Sequence, residues 1–515
     1  MTSSLSSQPL VTATQMRSIE ELIFKAGMPV AALMEKVALR ITQRVMELYP
    51  LEHYRRVGVL VGAGHNGGDA LAVARELFHQ GRQVQICHLL PAKAKPLNRV
   101  HGCYAKSLGI PFVDLAALQD CDLLIDGIFG FGLERDVIGE LAIAIHTINQ
   151  WHLPILSIDI PSGLHTDLGM AMGAAIKATH TLCLGLWKRG LLTEVAVPYV
   201  GKLERIGFDI PKWCIEKVLG TEHSLWRIDA QQVLRDRLPI LRQPTAHKYE
   251  VGHLLLVVGS QQYAGAAILA ALGAKATGIG MLSIAVPLSL KPILLTQVPD
   301  ALVIGCPETP SGAIAKLPNL DLQRYQAIGC GCGLSVDTLT VVQELMDSDR
   351  PLLLDADGLN TLASMGNSEV IEQLKTRRSS TTLTPHWGEF CRLFPSFLGL
   401  HRLDALIAAV NLTDTTILLK GSKTAIASQI QNKSQLWINA ESTPALARGG
   451  SGDVLTGMIA GMLAQGLFPE EAAIAATVWH SQTALWLEQQ RTVMGVDPII
   501  LVQNLLPFLS QSAKA

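Results

Sequence analysis

One pattern recurs along almost the whole chain and constrains its fold more than any other feature. A short apolar run ends in Gly or an acid, and a stretch of helical periodicity follows. "RVGVLVGAG" leads into "DALAVARELFHQG", and "QVQICHLL", "CDLLIDGIFG" and "PILSIDIPSG" continue the series. A strand that is apolar on nearly every residue needs cover on both faces, which helical crossovers between parallel strands supply. The pattern therefore predicts an α/β protein with parallel sheets and helices on both faces. It restarts near residue 253 with "HLLLVVGS", the helical "AGAAILAALGAKATG" and the strand "MLSIAVP". "YQAIGCG", "RPLLLDADG" and "TILLKGSKTAIAS" then extend it.

A chain of 515 residues exceeds one ordinary core. The more polar "FDIPKWCIEKVLGTEHSLWRIDAQQVLRDRLP" separates the two series and places a boundary at residue 222. Two domains are expected, 1–222 and 223–515. A net charge of -2 provides no field to attract nucleic acid or an anionic membrane. The most membrane-like segment, "AGAAILAALGAKATGIGMLSIAVPL", contains Lys275 and repeated Gly, and reads as helix, turn and strand. "MTSSLSSQPLVTATQMRSIEE" has no basic region followed by an apolar stretch, so no signal peptide is expected. Nine cysteines without a CxxC pair read as small buried residues in a reducing compartment. The expectation is a soluble, cytoplasmic protein with neither nucleic-acid nor membrane partners, and the sequence leaves a homo-oligomer open.

Open parallel sheets bind ligands beyond the carboxyl ends of their strands. Asp126, Asp159 and Asp355 all fall at such ends. In "GAGHNGGDA", Gly62, Gly64 and Gly67 fit the dinucleotide fingerprint, but the next strand ends "ICHLLP", without the acid that would hold a ribose. What remains is a backbone nest for phosphate at a helix N-terminus, or a tight turn with Asp69 as helix cap. Asn66, Asp126 and Ser162 offer hard oxygen atoms with one formal charge, a set suited to a monovalent cation. Ser162, between Pro161 and Gly163, equally fits an ordinary turn.

"VTATQMRSIEELIFKAGMPVAALMEKV", "VGAGHNGGDALAVAREL", "LLIDGIFGFGL" and "SIDIPSGLHTDLG" together resemble the NAD(P)H-hydrate epimerase domain, the YjeF N-terminal domain. The resemblance covers most of residues 11–210 and implies a Rossmann-like fold. It implies substrate binding by His65, Asn66, Gly67, Gly68 and Asp69, and by Gly130, Phe131, Gly132, Leu133, Glu134, Arg135 and Asp136. It further implies a potassium ion at Asn66, Asp126 and Ser162, with Asp159 contacting substrate as a catalytic group. His65, Ala70 and Phe131 depart from the usual motif and bear on substrate contacts rather than on the cation. Non-catalytic relatives act as binding scaffolds, a reading against which the retained Asp126 and Asp159 argue.

"RGGSGDVLTG", residues 448–457, places Gly449, Gly450 and Gly452 before the apolar "VLTGMIAGMLAQG". Backbone N–H groups at that helix start suit phosphate oxygens. A carboxylate there would repel a phosphoryl group unless it serves as a base or a metal-linked acid, and Asp453 is the candidate base. A plain helix cap is the alternative. "HKYEVGHLLLVVGSQQYAGAAILAALGAKATGIGMLSIAVP", "GCGL", "LLLDADGLN", "LTPHWGEF", "LLKGSKTAIA" and "GGSGDVLTG" resemble, in order over about 245–500, the ADP-dependent (S)-NAD(P)H-hydrate dehydratase. This implies a ribokinase-like domain that binds substrate through Ala264, Gly333, His386 and Asp453. It implies ADP, with Mg²⁺, at Lys420, Gly421, Ser422, Lys423, Thr424 and Gly452. His386 alternatively satisfies backbone groups, "KGSKT" alternatively forms a hairpin turn, and Asp355 and Asp357 alternatively cap a helix. The joint implication is a bifunctional enzyme acting on hydrated NADH and NADPH. A vitamin-precursor kinase fused to a non-catalytic binding domain stands as the second reading.

Overall fold

The computed structural model describes residues 7–220, 223–238 and 242–512. They form two compact α/β units, Pro9–Leu225 and a second from Trp226 onward that also includes Ser7 and Gln8. The expected boundary at residue 222 falls on 221–222, outside the described residues.

The strands of the first unit are β1 (Ser7–Val11), β2 (Arg56–Val61), β3 (Gln83–His88), β4 (Leu123–Gly127), β5 (Ile155–Ile158), β6 (His180–Leu184), β7 (Trp187–Lys188) and β8 (Lys202–Ile206). The main sheet runs β3-β2-β4-β5-β6-β8, parallel throughout. Strand alternation assigns its two faces to separate cores. Val57, Val59 and Val61 pack with Val37, Ile41, Leu71 and Leu77 of helices Val30–Leu48 and His65–His79. Leu60 and Leu124 pack with Ile145 and Ile148 of helix Glu140–Gln150. Each such side chain, fully buried, stabilises the unit by about 1.5–3 kcal/mol. The chain reverses its order across the sheet between β2 and β4, so a crevice opens at their carboxyl ends.

Helix His65–His79 starts in that crevice. Gly67, Gly68 and Asp69 therefore lie inside the helix rather than in a loop, and Gly64, not Asp69, is its cap. Gly62 is required by close approach: a Cβ there would sit 1.8 Å from the Ile128 carbonyl oxygen. Its absence lets the chain after β2 lie flush against the chain after β4.

The second unit contains β9 (Leu225–Ile228), β10 (His253–Val257), β11 (Met281–Pro287), β12 (Leu302–Cys306), β13 (Ala327–Cys330), β14 (Leu352–Leu354), β15 (Thr381–Leu383), β16 (Thr416–Leu419), β17 (Ala425–Ile430) and β18 (Lys433–Ile438). Their order is β12-β11-β10-β13-β14-β15-β16-β17-β18-β9. β12 through β16 are parallel as expected. β17 and β18 instead run antiparallel. The connection 420–424 is too short for a crossover, which takes a dozen or more residues, so a hairpin is the available solution. The membrane-like segment divides into helix Ala264–Ala276 and β11, and among the described residues no helix is long and apolar enough to cross a membrane. Seven of the nine cysteines are buried, and none is in a disulfide.

Candidate active sites

In the first unit the crevice becomes a cavity of about 780 Å³. Asn66, from the first turn of its helix, is buried, and its amide nitrogen donates to the carbonyls of Phe129 (2.9 Å) and Ile158 (3.2 Å). Asp126, at the end of β4, is fully buried. Its oxygens accept from the Ser162 hydroxyl (2.5 Å), the Ser162 backbone N–H (2.9 Å), the Ser157 hydroxyl (2.7 Å) and the Ile128 N–H (3.2 Å). Burial pushes its carboxyl up, and these donors work against that rise. Asn66 and Ser162 thus meet at the Phe129 backbone, and Asp126 joins them through the Ser162 hydroxyl. This is one carboxylate amid neutral oxygen atoms, and among the described residues no group of three His, Cys, Asp or Glu side chains is arranged to hold a metal ion. Such a set fits a monovalent cation better than a divalent one.

Asp159 follows β5 with φ +69°, a left-handed conformation uncommon for a residue with a side chain. Its carboxylate accepts from the Phe131 N–H at 3.1 Å and pairs with the Lys188 ammonium at 2.6 Å. Burial works against the charge on Lys188, but Asp159 holds that amine above its ordinary range. Phe131, one of the departures from the family motif, places its ring 5.6 Å from the same amine. His65, Asn66, Asp69, Gly130, Phe131, Gly132, Leu133, Glu134, Arg135 and Asp159 line the cavity; Gly67, Gly68 and Asp136 do not.

In the second unit the corresponding crevice lies where the chain reverses between β10 and β13. Gly333 abuts the start of helix Ala264–Ala276: a Cβ on it would meet that of Tyr263 at 2.7 Å. Asp355 is the N-terminal boundary residue of helix Ala356–Ala363, yet its side chain does not cap it. One carboxylate oxygen pairs with the Lys420 ammonium at 2.5 Å, and the other accepts from the Thr456 hydroxyl. Helix Ser451–Ala464 starts beside this pair, with Gly450 at φ +97° as its boundary residue. A Cβ on Gly452 would lie 3.5 Å from the Lys420 amine, so lysine and helix start share one place. Asp453, in the first turn, has its carboxyl pushed up to about 6 by burial and by the charges of Asp355 and Asp357, against a hydrogen bond from Cys332 and the charge of Lys420. His480 donates to the Ser451 carbonyl at 3.0 Å, and burial brings its imidazole down to about 4.

His386 caps helix Trp387–Leu393, its Nδ1 accepting from the Glu389 N–H at 3.2 Å. Just over half of its side chain stays exposed. The Lys420 N–H donates to the Pro385 carbonyl at 2.8 Å, which sets His386 and Lys420 side by side. Lys423 lies apart from this group, donating to the Ala440 carbonyl. Gly421, Ser422 and Thr424 form the hairpin turn, with the Thr424 hydroxyl on the Gly421 carbonyl at 3.1 Å.

Glu20, Lys95 and Lys188 line the first cavity, and Cys332 and Thr456 support the second site, yet none of them stood out in the sequence. Lys188 carried one signal, a lysine closing the apolar run "TLCLGLW".

Two α/β units, each gathering ionisable groups at its strand-order reversal, define an enzyme with two active sites. Residues 30–190 match the family model of the YjeF-related protein N-terminus, and residues 254–506 match that of NAD(P)H-hydrate dehydratase. The bifunctional NAD(P)H-hydrate repair enzyme of Thermosynechococcus vestitus is 50% identical over 514 residues, covering 98% of each chain. That of Synechocystis sp. is 49% identical over 508 residues, covering 98% of this chain and 95% of its own. An ADP/ATP-dependent NAD(P)H-hydrate dehydratase from Bacillus subtilis, crystallised with ATP/Mg²⁺, is 30% identical over 55% of this chain and 96% of its own, with a TM-score of 0.46. The chain belongs to the family of bifunctional NAD(P)H-hydrate repair enzymes.

Proposed function

We propose that the first unit interconverts the two epimers of hydrated NADH or NADPH and that the second dehydrates the S epimer at the expense of ADP. Water adding across an enamine double bond of the reduced nicotinamide ring leaves a hydroxyl on the carbon next to nitrogen. Hydroxide is a poor leaving group. Transfer of the terminal phosphoryl group of ADP to that hydroxyl gives AMP and a phosphate ester. The ring nitrogen then expels phosphate, and loss of the neighbouring proton restores the double bond. The balance is hydrate plus ADP to NAD(P)H, AMP and phosphate.

In this reading Asp453 takes the hydroxyl proton, and the N–H groups around Gly450–Gly452, with Lys420, stabilise charge on the transferring phosphoryl group. His386, Ala264 and Gly333 hold the substrate. The observation that carries the reading is Asp453 in the first turn of its helix, with a carboxyl at about 6 beside a lysine. A base poised near neutrality at a phosphate-binding helix start suits activation of a hydroxyl. Mg²⁺ would enter as the companion of the ADP phosphates, beside Asp355, which Lys420 and Thr456 hold in place.

In the first unit Asp159 contacts the reacting ring, and Asn66, Asp126, Ser162 and the Phe129 carbonyl hold potassium once the Asn66 amide turns its oxygen inward. The bound cation supplies fixed positive charge that balances the buried Asp126 carboxylate. The test is incubation of mixed-epimer hydrate with ADP. Recovery of reduced-nicotinamide absorbance from both epimers, with AMP and phosphate in equal amount, is expected. With ATP and a small alcohol supplied instead, formation of ADP together with a phosphorylated alcohol would establish the kinase reading.

A further inference from the structure

The cavity of the first unit holds more acid than one base requires. Glu20, on helix Ala13–Lys25, and Asp69, on helix His65–His79, line it together with Asp159 and Lys188. The Lys188 ammonium is already held by Asp159 at 2.6 Å. Among the described residues, neither Glu20 nor Asp69 has a hydrogen-bond or ion-pair partner. Arg17, one turn before Glu20, pairs with Glu134 at 3.1 Å. The walls around these groups are largely apolar: Phe24, Leu33, Met34, Val37 and Phe208. Glu20 and Asp69 thus face the cavity without a matched cation, in surroundings that disfavour the ionised form.

Epimerisation at a carbon bearing a hydroxyl next to nitrogen needs an acid. The hydroxyl leaves as water only when a proton is supplied, while the nitrogen lone pair forms the iminium. Water then adds to the opposite face and gives up a proton. Resting on the epimerase reading above, we propose that Glu20 is the general acid of this reaction. It protonates the departing hydroxyl as the C–O bond breaks, and its carboxylate takes back the proton from the water that forms the new C–O bond. Asp159, held by Lys188, faces the ring as the fixed anion that stabilises the iminium. Protons and electrons balance, and no further reactant enters.

The environment fits this role. Burial pushes the Glu20 carboxyl up to about 7; Lys188 opposes the rise, the Asp159 charge adds to it, and Arg17 opposes it. Asp69 is pushed well above its ordinary range, by burial first and then by Asp159 and Glu20. Glu20 is the partnerless acid of this cavity whose carboxyl comes to about 7, where a group can both give and take a proton. The remaining charged and titratable groups of the cavity are Glu21, His65, Lys95, Glu134 and Arg135.

The test uses the full chain and the pure R epimer without ADP, following the S epimer chromatographically from pH 5.5 to 9 and subtracting the uncatalysed rate. An acid is active while protonated, so the parent rate should fall as pH rises through about 7. Glu20→Gln should lower kcat by about 10²- to 10⁴-fold and remove that alkaline fall. Glu20→Asp should restore part of the rate, and Asp69→Asn should keep the fall. A Glu20→Gln enzyme within a few-fold of the parent, or loss of the fall in Asp69→Asn instead, overturns the assignment. Failure of the epimerase reading is separate, because the parent itself would then show no catalysed interconversion.

Discussion

Asp453 and Glu20 have both been moved toward neutrality by burial, yet the proposed roles require opposite protonation states. A base works ionised. With the Asp453 carboxyl at about 6, dehydration of the pure S epimer should rise as pH increases through about 6 and level off above it. Asp453→Asn preserves shape and removes a negative charge from the vicinity of phosphate. ADP affinity measured by calorimetry should hold or improve slightly, while turnover falls by about 10²- to 10⁴-fold, the usual contribution of a positioned base. Turnover within a few-fold of the parent would return Asp453 to the role of a helix-capping acid.

The helix that carries Asp453 is positioned through glycines. A Cβ on Gly457 would lie 1.9 Å from the Ala270 carbonyl oxygen, and one on Gly273 would lie 2.3 Å from that of Val454. Helices Ser451–Ala464 and Ala264–Ala276 therefore meet backbone to backbone, a separation that only glycine allows. No rotamer change relieves a clash with backbone. Gly457→Ala must push the helices apart, at roughly 1–3 kcal/mol for overpacking, against a gain of at most about 1 kcal/mol in helix propensity. The expected outcome is a lower thermal midpoint for the second unit and weaker ADP binding, with epimerisation unchanged. Gly449→Ala is the control, since a Cβ there meets nothing within 4 Å. An unaltered midpoint in Gly457→Ala would mean that the two helices have slack. "VLTGMIAGMLAQG" was legible as an apolar helix because helical periodicity is a local property. The antiparallel turn after β16 was legible only as the alternative reading of "KGSKT", because strand direction depends on how far the connection must travel.

At the scale of the molecule, apolar alternation was enough to reveal two α/β units, and strand-end acids enough to mark both crevices. Glu20 and Lys188 stayed hidden for a physical reason. A lone Glu on an amphipathic helix reads as solvated face until tertiary packing encloses it, and Lys188 acquires meaning only beside Asp159, 29 positions away. The same reasoning separates the activities. The proposed cation residues Asn66, Asp126 and Ser162 all belong to the first unit, and Asp453, Lys420 and His386 all belong to the second. Asp126→Asn keeps the size of the side chain and removes the one formal charge of the cation set. Epimerisation by the parent should fall when potassium is replaced by tetramethylammonium at constant ionic strength, and should return when potassium is restored. In Asp126→Asn, epimerisation should be low with either cation, while dehydration of the pure S epimer proceeds at the parent rate. A circular-dichroism melt of the variant guards against simple unfolding, since Ser157 and Ser162 lose a charged acceptor in it. A folded Asp126→Asn enzyme that still answers to potassium as the parent does would remove the cation from this crevice.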